Sequence, residues 1–298
     1  MHIEILGAES MGVRSLSTFV TTSNRRILID PSAAVTPRRD GLPPHPSEME
    51  ALGRVREAIQ ARAAAADAIV ITHFHHDHFS SFKRRPFNLT DRRTARDVYL
   101  DTPVYVKDWR QNLNRAQRIR ARQFLQALER DVIVADGGSF ENVTFSPAVK
   151  HGEVESRQGW VVMVSIDDGA ERLVFASDIQ CIERESVDWI LDREPTIVIT
   201  SGPPIHMSVV SQENKEKARL NLIRVAGAVP TTVVDHHLLR TEAYRGFLQD
   251  VIARGTLDGN RVLTAAEFMG RPNQLLEANR KHLWDLGPGA TAGPVRPS

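Results

Sequence analysis

The chain has 298 residues, 41% hydrophobic and 25% charged, which is ordinary for a globular protein and fits one large domain. Its only cysteine, Cys181, excludes an internal disulfide and a cysteine-built zinc site, so any metal site must use His and carboxylates. No apolar stretch is long enough to cross a bilayer, and the first residues lack the basic start of a signal peptide. We therefore expect a cytoplasmic protein with no membrane partner.

The formal net charge of +1 hides an uneven distribution along the chain. The segment 83–130 has 13 Lys and Arg against 5 Asp and Glu, a net charge of +8, so the remainder carries about −7. We predict a basic helical insertion at about 80–130. Such a region can attract anionic ligands, but an arginine-rich solvated helix would have the same composition.

The first third of the chain predicts strands and one helix. Hydrophobic runs between turn residues predict strands at 3–6, 17–21, 27–30 and 68–72. Ser47, with Glu50 three residues later, has the pattern of a capping box. It precedes apolar residues at spacings of three and four, which predict a helix.

The rest of the chain predicts a second β-rich stretch and alternating strands and helices. Strands are predicted at 132–135, 143–147, 160–166, 173–176, 196–200 and 231–234, and helices at 112–130, 212–226, 242–254 and 274–286. Two β-rich stretches with helices outside them favour an α/β fold, a four-layer αββα sandwich over residues 1–286 as a single domain. The Gly-, Pro- and Ala-rich tail, 287–298, is predicted to be disordered.

Four of the eleven histidines fall between positions 73 and 78. In a turn that leaves a strand, residues two apart can project the same way. His73 and His75 could therefore bind one metal ion, and Asp77 and His78 a second. Neutral imidazole and carboxylate are ligands that suit zinc and similar divalent ions. Clustering at this density is a specific indication of a metal site.

Three later residues follow predicted strands as His73 does: His151, Asp178 and His236. Taken singly, each is more typical of a turn former or a cap. Together with the histidine run they form a shell for two metals, because strand ends converge at one edge of a sheet. His237 competes with His236, which we prefer because it directly follows its strand.

The assembled residues resemble the metallo-β-lactamase superfamily. The chain to about position 286 also resembles an uncharacterised subfamily of predicted metal-dependent hydrolases best known from archaea. The stretches that carry the second resemblance are ESMGVRS (9–15), GLPPHP (41–46), SGPP (201–204), DHHLLR (235–240) and TAAEF (264–268). The resemblance implies the αββα fold, hydrolase activity and two divalent ions, Zn²⁺ or alternatively Mn²⁺ or Fe²⁺.

The resemblance also implies roles for individual residues. The first metal would be bound by His73, His75 and His151, and the second by Asp77, His78 and His236, with Asp178 bridging them. Asp30 would support the ligand loop, and His237 would lie beside the ligands. The subfamily usually has an acidic residue before its Gly-Pro-Pro run. This chain has Ser201 there, which puts a catalytic role for that position in doubt.

Two metal ions would share a bridging hydroxide that attacks carbon or phosphorus, with Asp77 as the catalytic residue that orients it. In the favoured hypothesis the substrate is a phosphodiester or another anionic ester, with nucleic acid possible, and Arg14 and Arg118 contact it. One alternative is a small ester, lactone or amide. Another is a non-hydrolytic iron-binding protein with a redox or sensing role. The sequence does not predict the oligomeric state.

Overall fold

The computed structural model describes residues 1–99, 101–153, 157–257 and 259–290. The strands within these ranges are β1 His2–Ile5, β2 Thr18–Thr21, β3 Arg26–Ile29, β4 Ala68–Ile71, β5 Val104–Val106, β6 Ile133–Val134, β7 Ser139–Phe140, β8 Val143–Phe145, β9 Val149–Lys150, β10 Trp160–Val161, β11 Val164–Asp167, β12 Arg172–Ala176, β13 Ile197–Thr200, β14 Thr231–Val234 and β15 Arg261–Leu263. The α-helices are α1 Pro46–Ala63, α2 Arg92–Tyr99, α3 Arg115–Leu128, α4 Arg184–Leu191, α5 Gln212–Ala228, α6 Tyr244–Gly255, α7 Ala265–Phe268 and α8 Arg280–Leu286. None of the helices in this described part of the chain is long and apolar enough to cross a membrane.

The strands form two large sheets and one small one. The first sheet has the order β1-β2-β3-β4-β5-β6, and its strands run parallel from β3 to β6. The second has the order β15-β14-β13-β12-β11-β8-β7, and its strands run parallel from β15 to β12. The short pair β9 and β10 is antiparallel. Each large sheet therefore has a group of parallel strands with their carboxyl ends at one edge.

The two large sheets pack face to face through a shared apolar layer. Buried Ile29 and Val70 of the first sheet meet Val164 and Phe175 of the second in this layer. Helices α1, α2 and α3 cover the outer face of the first sheet, and α4, α5 and α6 cover that of the second. This arrangement confirms the predicted four-layer αββα sandwich.

Helix α1 begins differently from the prediction. The capping residue is His45, not Ser47, and its partner is Glu48, not Glu50. The backbone N–H of His45 donates to the Glu48 carboxylate at 2.8 Å, and the His45 ring accepts from the N–H of Ser47 at 3.3 Å. Pro46 occupies the first turn, where its missing N–H costs nothing. A histidine ring thus replaces the hydroxyl of the usual pattern.

The segment 80–130 is not simply an added helix. It contributes α2 and α3, but also β5, which pairs with β4 and β6 inside the first sheet. The predicted helix at 274–286 is shorter, since α8 begins at Arg280. The predicted disordered tail is wrong at its start, because Ser47 Oγ donates to the carbonyl of Ala290 at 2.7 Å. Residues 291–298 lie outside the described residues.

Candidate metal centre

The predicted ligands meet at the carboxyl ends of parallel strands from both sheets. Asp30 follows β3 and His73 follows β4 in the first sheet, while Asp178 follows β12 and His236 follows β14 in the second. His151 directly follows β9. Because the sheets are stacked, these strand ends converge on one site, as is common in α/β folds.

Asp178 lies at the middle of the cluster and its two oxygens face different histidines. Oδ2 lies 2.8 Å from Nε2 of His151 and 3.3 Å from Nε2 of His73. Oδ1 lies 3.4 Å from Nε2 of His78 and 3.6 Å from Nε2 of His236. This carboxylate therefore has the geometry of a bridge between two ligand groups.

Potential ligands among the described residues form four overlapping groups, and two of these groups together contain all seven predicted ligands. Donor atoms within 4.8 Å of one another belong to His73, His75, His151 and Asp178 in one group, and to Asp77, His78 and His236 in the other. The division is the one that the resemblance implied. Asp77, the predicted catalytic residue, lies in the second group, with Oδ2 3.6 Å from Nε2 of His236.

His237 and His76 occupy different positions relative to the cluster. Nε2 of His237 lies 3.4 Å from Oδ2 of Asp178, while His236 faces Oδ1. The two adjacent histidines are therefore not alternatives for one position, and His237 is an additional candidate ligand. The ring of His76 instead packs against Phe79, with 5.2 Å between the two ring centroids.

The donor atoms fit bound metal. Nε2 of His73 and Nε2 of His78 are buried and have no hydrogen-bond partner among the described residues. The other ring nitrogen of each is occupied: Nδ1 of His78 lies 2.9 Å from Oδ2 of Asp30, and Nδ1 of His73 lies 3.0 Å from Oγ1 of Thr72. Metal-binding histidines are commonly oriented in this way by a carboxylate or hydroxyl. Asp30 thus lies in its predicted supporting position.

Asp235 fixes the segment that carries the paired histidines. Its Oδ1 accepts from the backbone N–H of His236 at 2.7 Å and of Ser10 at 3.1 Å. Its Oδ2 accepts from the N–H of Ala265 at 2.9 Å. Three of the stretches that carried the resemblance, 9–15, 235–240 and 264–268, are therefore joined through this one buried carboxylate.

Ser201 holds Asp178 in place. Its Oγ accepts from the backbone N–H of Asp178 at 2.8 Å, and Ser177 Oγ donates to Oδ1 at 2.8 Å. Asp178 and His236 both have positive φ angles, 64° and 55°. Such backbone is uncommon outside glycine and is maintained only where surrounding contacts enforce it. Ser201 therefore has a supporting position in the centre.

The electrostatics of the cluster suit metal binding. Burial lowers the pKa of His75 and of His236 well below 6.5, so both are neutral. Burial opposes ionisation of Asp178, but the surrounding histidines, led by His78, hold its pKa well below its usual value. Burial also opposes the charged form of His78, yet neighbouring carboxylates, led by Asp178, raise its pKa to about 10. A metal ion must displace that proton on binding.

Arg240 and Glu9 adjoin the centre, and the sequence analysis did not single out either. Nε of Arg240 donates to Oε1 of Glu9 at 2.6 Å, and both side chains are largely buried. The Arg240 guanidinium also lies 3.2 Å from Nε2 of His236 and 3.9 Å from Oδ2 of Asp77. Glu9 lies in the stretch 9–15 and Arg240 in the stretch 235–240. The resemblance carried by these stretches was the sequence signal that could have identified both residues.

Arg14, predicted to contact substrate, lines a cavity of about 370 Å³ beside Asp77. Its guanidinium is already engaged, because Nε and Nη2 each donate to Glu277 at 2.6 Å. Arg84 and Arg85 line the same cavity. The cavity places positive charge next to the second ligand group.

Arg118 does not face the histidine cluster, contrary to the prediction. It lines a different cavity with Trp109 and Arg122. Arg120, two residues further along α3, faces the ligand loop and donates to the carbonyl of Phe74 at 3.2 Å. Two residues correspond to about 200° of rotation around a helix. The sequence predicted the helix correctly but not which arginine faces the site.

Comparison with known proteins was consistent with this geometry. Residues 25–220 match the family model described as a beta-lactamase superfamily domain. A UPF0282 protein of Thermococcus onnurineus is 38% identical over 98% of both chains. A UPF0282 protein of Methanopyrus kandleri is also 38% identical, over 95% of this chain and 99% of the relative. The metallo-beta-lactamase fold protein YhfI from Bacillus subtilis superposes with a TM-score of 0.52 at 13% identity, covering 88% of this chain and 95% of that one.

Proposed function

The chain belongs to the UPF0282 family within the metallo-β-lactamase superfamily, and from this premise we propose that it is a binuclear metal-dependent hydrolase. The observation that carries the proposal is the position of Asp178, whose two oxygens face separate groups of histidines. Two divalent ions bound there would lower the pKa of a shared water to about 7 and polarise the bond to be cleaved. Zn²⁺ is the ion we propose, on the nitrogen and oxygen donors present.

The protein's own side chains would hold this centre in place. Asp30 and Thr72 fix the ring orientations of His78 and His73, and Ser201 fixes Asp178. Asp77 belongs to the second ligand group and also lines the open cavity, so it is placed to bind metal and to orient a water that enters. Preorganised polar groups of this kind lower the cost of charge rearrangement during reaction.

We propose a phosphodiester or another anionic ester as the substrate class. Positive charge on the cavity wall beside Asp77 supports this choice over a neutral ester, lactone or amide. Arginine guanidinium groups suit phosphate oxygens in particular. Nucleic acid is one such substrate, but the arginines near the centre are equally suited to a small phosphoester.

The first experiment measures metal content and activity together. We expect close to two metal ions per chain by elemental analysis. We expect metal-dependent hydrolysis of bis-p-nitrophenyl phosphate that exceeds hydrolysis of p-nitrophenyl acetate. The variant H73A/H75A should lose metal and activity. H282A, which removes an exposed histidine on α8, should retain both.

Three other outcomes of this experiment would change the proposal. Metal content that is undiminished in H73A/H75A would contradict the site assignment. Iron with a visible colour and redox activity, but no hydrolysis, would replace the proposal with the non-hydrolytic alternative. Preference for the acetate ester would reject the anionic substrate class while leaving a hydrolase.

A further inference from the structure

The cavity beside Asp77 has more positive charge than its described lining neutralises. Three arginines line it, Arg14, Arg84 and Arg85, and among its described lining residues Asp77 is the only acid. Its volume of about 370 Å³ is in the range of small-molecule sites. If Asp77 binds metal, its charge is already compensated. The remaining positive charge then belongs to the arginines.

Arg14 and Arg85 differ in how their charge is balanced. Arg14 is paired with Glu277 through two bonds of 2.6 Å. Arg85 is half-buried, and within the described residues it has no carboxylate partner. Its Nε donates to Oδ1 of Asn88, a neutral group, at 3.4 Å. Burial lowers the pKa of Arg85 with no carboxylate to oppose the effect. A partly desolvated cation without a counter-ion is unfavourable until an anion joins it.

The backbone that carries Arg85 is also held in place. Its backbone N–H donates to the carbonyl of Thr90 at 2.8 Å, which closes the loop 85–90. Nδ2 of Asn88 in that loop donates to the carbonyls of His76 at 2.9 Å and Ala33 at 3.0 Å. His76 lies between two predicted metal ligands. The loop that carries Arg85 is therefore tied directly to the metal-binding run.

A second arginine extends the positive surface on the far side of His76. Arg120 donates to the carbonyl of Phe74, and no carboxylate within the described ranges forms an ion pair with it. It lines a smaller cavity that shares His76 with the cavity beside Asp77. Cations therefore flank His76 on two sides.

We propose that Arg85, with Arg84 at the rim, binds an anionic group of the substrate, a phosphate or carboxylate, separate from the group cleaved at the metals. The cleavage of the bound substrate at the metals rests on the proposed function. Anion binding itself needs only the arginines. The planar guanidinium can contact two oxygens of such a group at once.

The experiment is calorimetric titration with benzylphosphonate and with phenylacetate at constant ionic strength. It compares wild-type protein, R85A, R85K and R118A, each in the metal-loaded and the metal-depleted form. R85A should weaken benzylphosphonate binding about tenfold or more in both forms. R85K should be intermediate, because lysine keeps the charge but loses the two-pronged contact. R118A removes the same charge from the other cavity and should bind as wild type does.

Unchanged binding in R85A would overturn the proposal. Equal weakening of anion binding in R85A and R118A would also overturn it, because binding would then depend only on the overall charge of the protein. If R85A weakens the binding of benzylphosphonate alone, the site is specific for phosphate. If R85A weakens the binding of both probes, it is a general oxyanion site. If the wild-type protein cleaves neither nitrophenyl substrate but R85A still weakens anion binding, the result contradicts the proposed hydrolase activity and supports the anion site. Circular dichroism and metal content, measured for each variant, identify any failure to fold.

Discussion

Asp30 shows how a residue that is not proposed to bind metal can control the metal site. Its buried carboxylate accepts from the backbone N–H and the hydroxyl of Thr72 at 2.8 Å each, and it holds Nδ1 of His78. It therefore fixes both the start of the ligand loop and one histidine ring. Its positive φ, 50°, marks a backbone conformation that the surrounding bonds must maintain.

We expect D30N to weaken metal binding by roughly 10–100-fold, because a partner of this kind orients the ligand and raises its basicity. The weakened ion should be the one bound by the group that contains His78. Competition with a chromophoric chelator measures the two affinities separately. D285N, which removes an exposed carboxylate on α8, is the control. Equal metal affinities in D30N and wild type would show that Asp30 has no such role.

Residues that are close in sequence were predicted more reliably than those brought together by folding. The run from His73 to His78 indicates metal by its density alone. The support of Asp178 by Ser201 could not be predicted, since it depends on β12 and β13 lying side by side. The position of Arg85 beside the metal-binding run depends in turn on a loop geometry that no local pattern specifies.

Among the secondary-structure elements, the positions of strands were predicted more accurately than the face that a helix buries. Short hydrophobic runs located β4, β12 and β14 to within a residue or so, because their burial on both faces leaves a continuous apolar signal. Helix α3 was found, but charged residues surround much of it and do not define one buried face. Strand β5 was missed, since only Val104–Val106 pairs within an otherwise polar segment.

A buried ion pair helps to attach helix α8 to the rest of the molecule. Nε and Nη2 of Arg280 each donate to the Glu48 carboxylate at 2.8 Å, and both side chains are almost wholly buried. Arg280 Nη2 also donates to the carbonyl of Thr36 at 2.9 Å. The pair therefore joins the helix to α1 and to the loop before it.

We expect R280M to lower the free energy of unfolding by about 3–5 kcal/mol, because it leaves the Glu48 carboxylate buried without its cationic partner. K281M, at the next position, disrupts an exposed pair with Asp285 and should leave the free energy of unfolding almost unchanged. Urea denaturation of the metal-loaded proteins measures both. Similar losses in the two variants would mean that burial of the Arg280 pair contributes little.

In the whole molecule, the candidate metal ligands come from both halves of the sandwich. His73, Asp77 and His78 come from the first sheet, and Asp178 and His236 come from the second. Bound ions would therefore link the sheets at their carboxyl edge. Without metal, the same residues place several buried imidazoles next to carboxylates, and their protonation then controls stability.

The metal-depleted protein should be most stable at about pH 7, and its stability should fall on both sides. Burial lowers the folded-state pKa of His75, His236 and His237 well below 6.5. Below about 6.5 the unfolded chain therefore binds protons that the folded chain does not, and stability decreases as the pH falls. Burial disfavours charge on His78, but nearby carboxylates raise its pKa to about 10, so its contribution is complete below 6.5 and is lost as the pH rises towards 10.

Urea denaturation of metal-depleted protein between pH 5 and 9 tests this dependence. Each buried histidine contributes a slope of up to about 1.4 kcal/mol per pH unit on the acidic side. H237Q should reduce that acidic slope by as much as one histidine's share, whereas H282Q, at an exposed position, should leave it unchanged. Stability that increases from pH 6.5 to pH 5 would contradict the neutral state of the buried histidines. Because metal binding requires that neutral state, the same acidic range should release metal from the loaded protein.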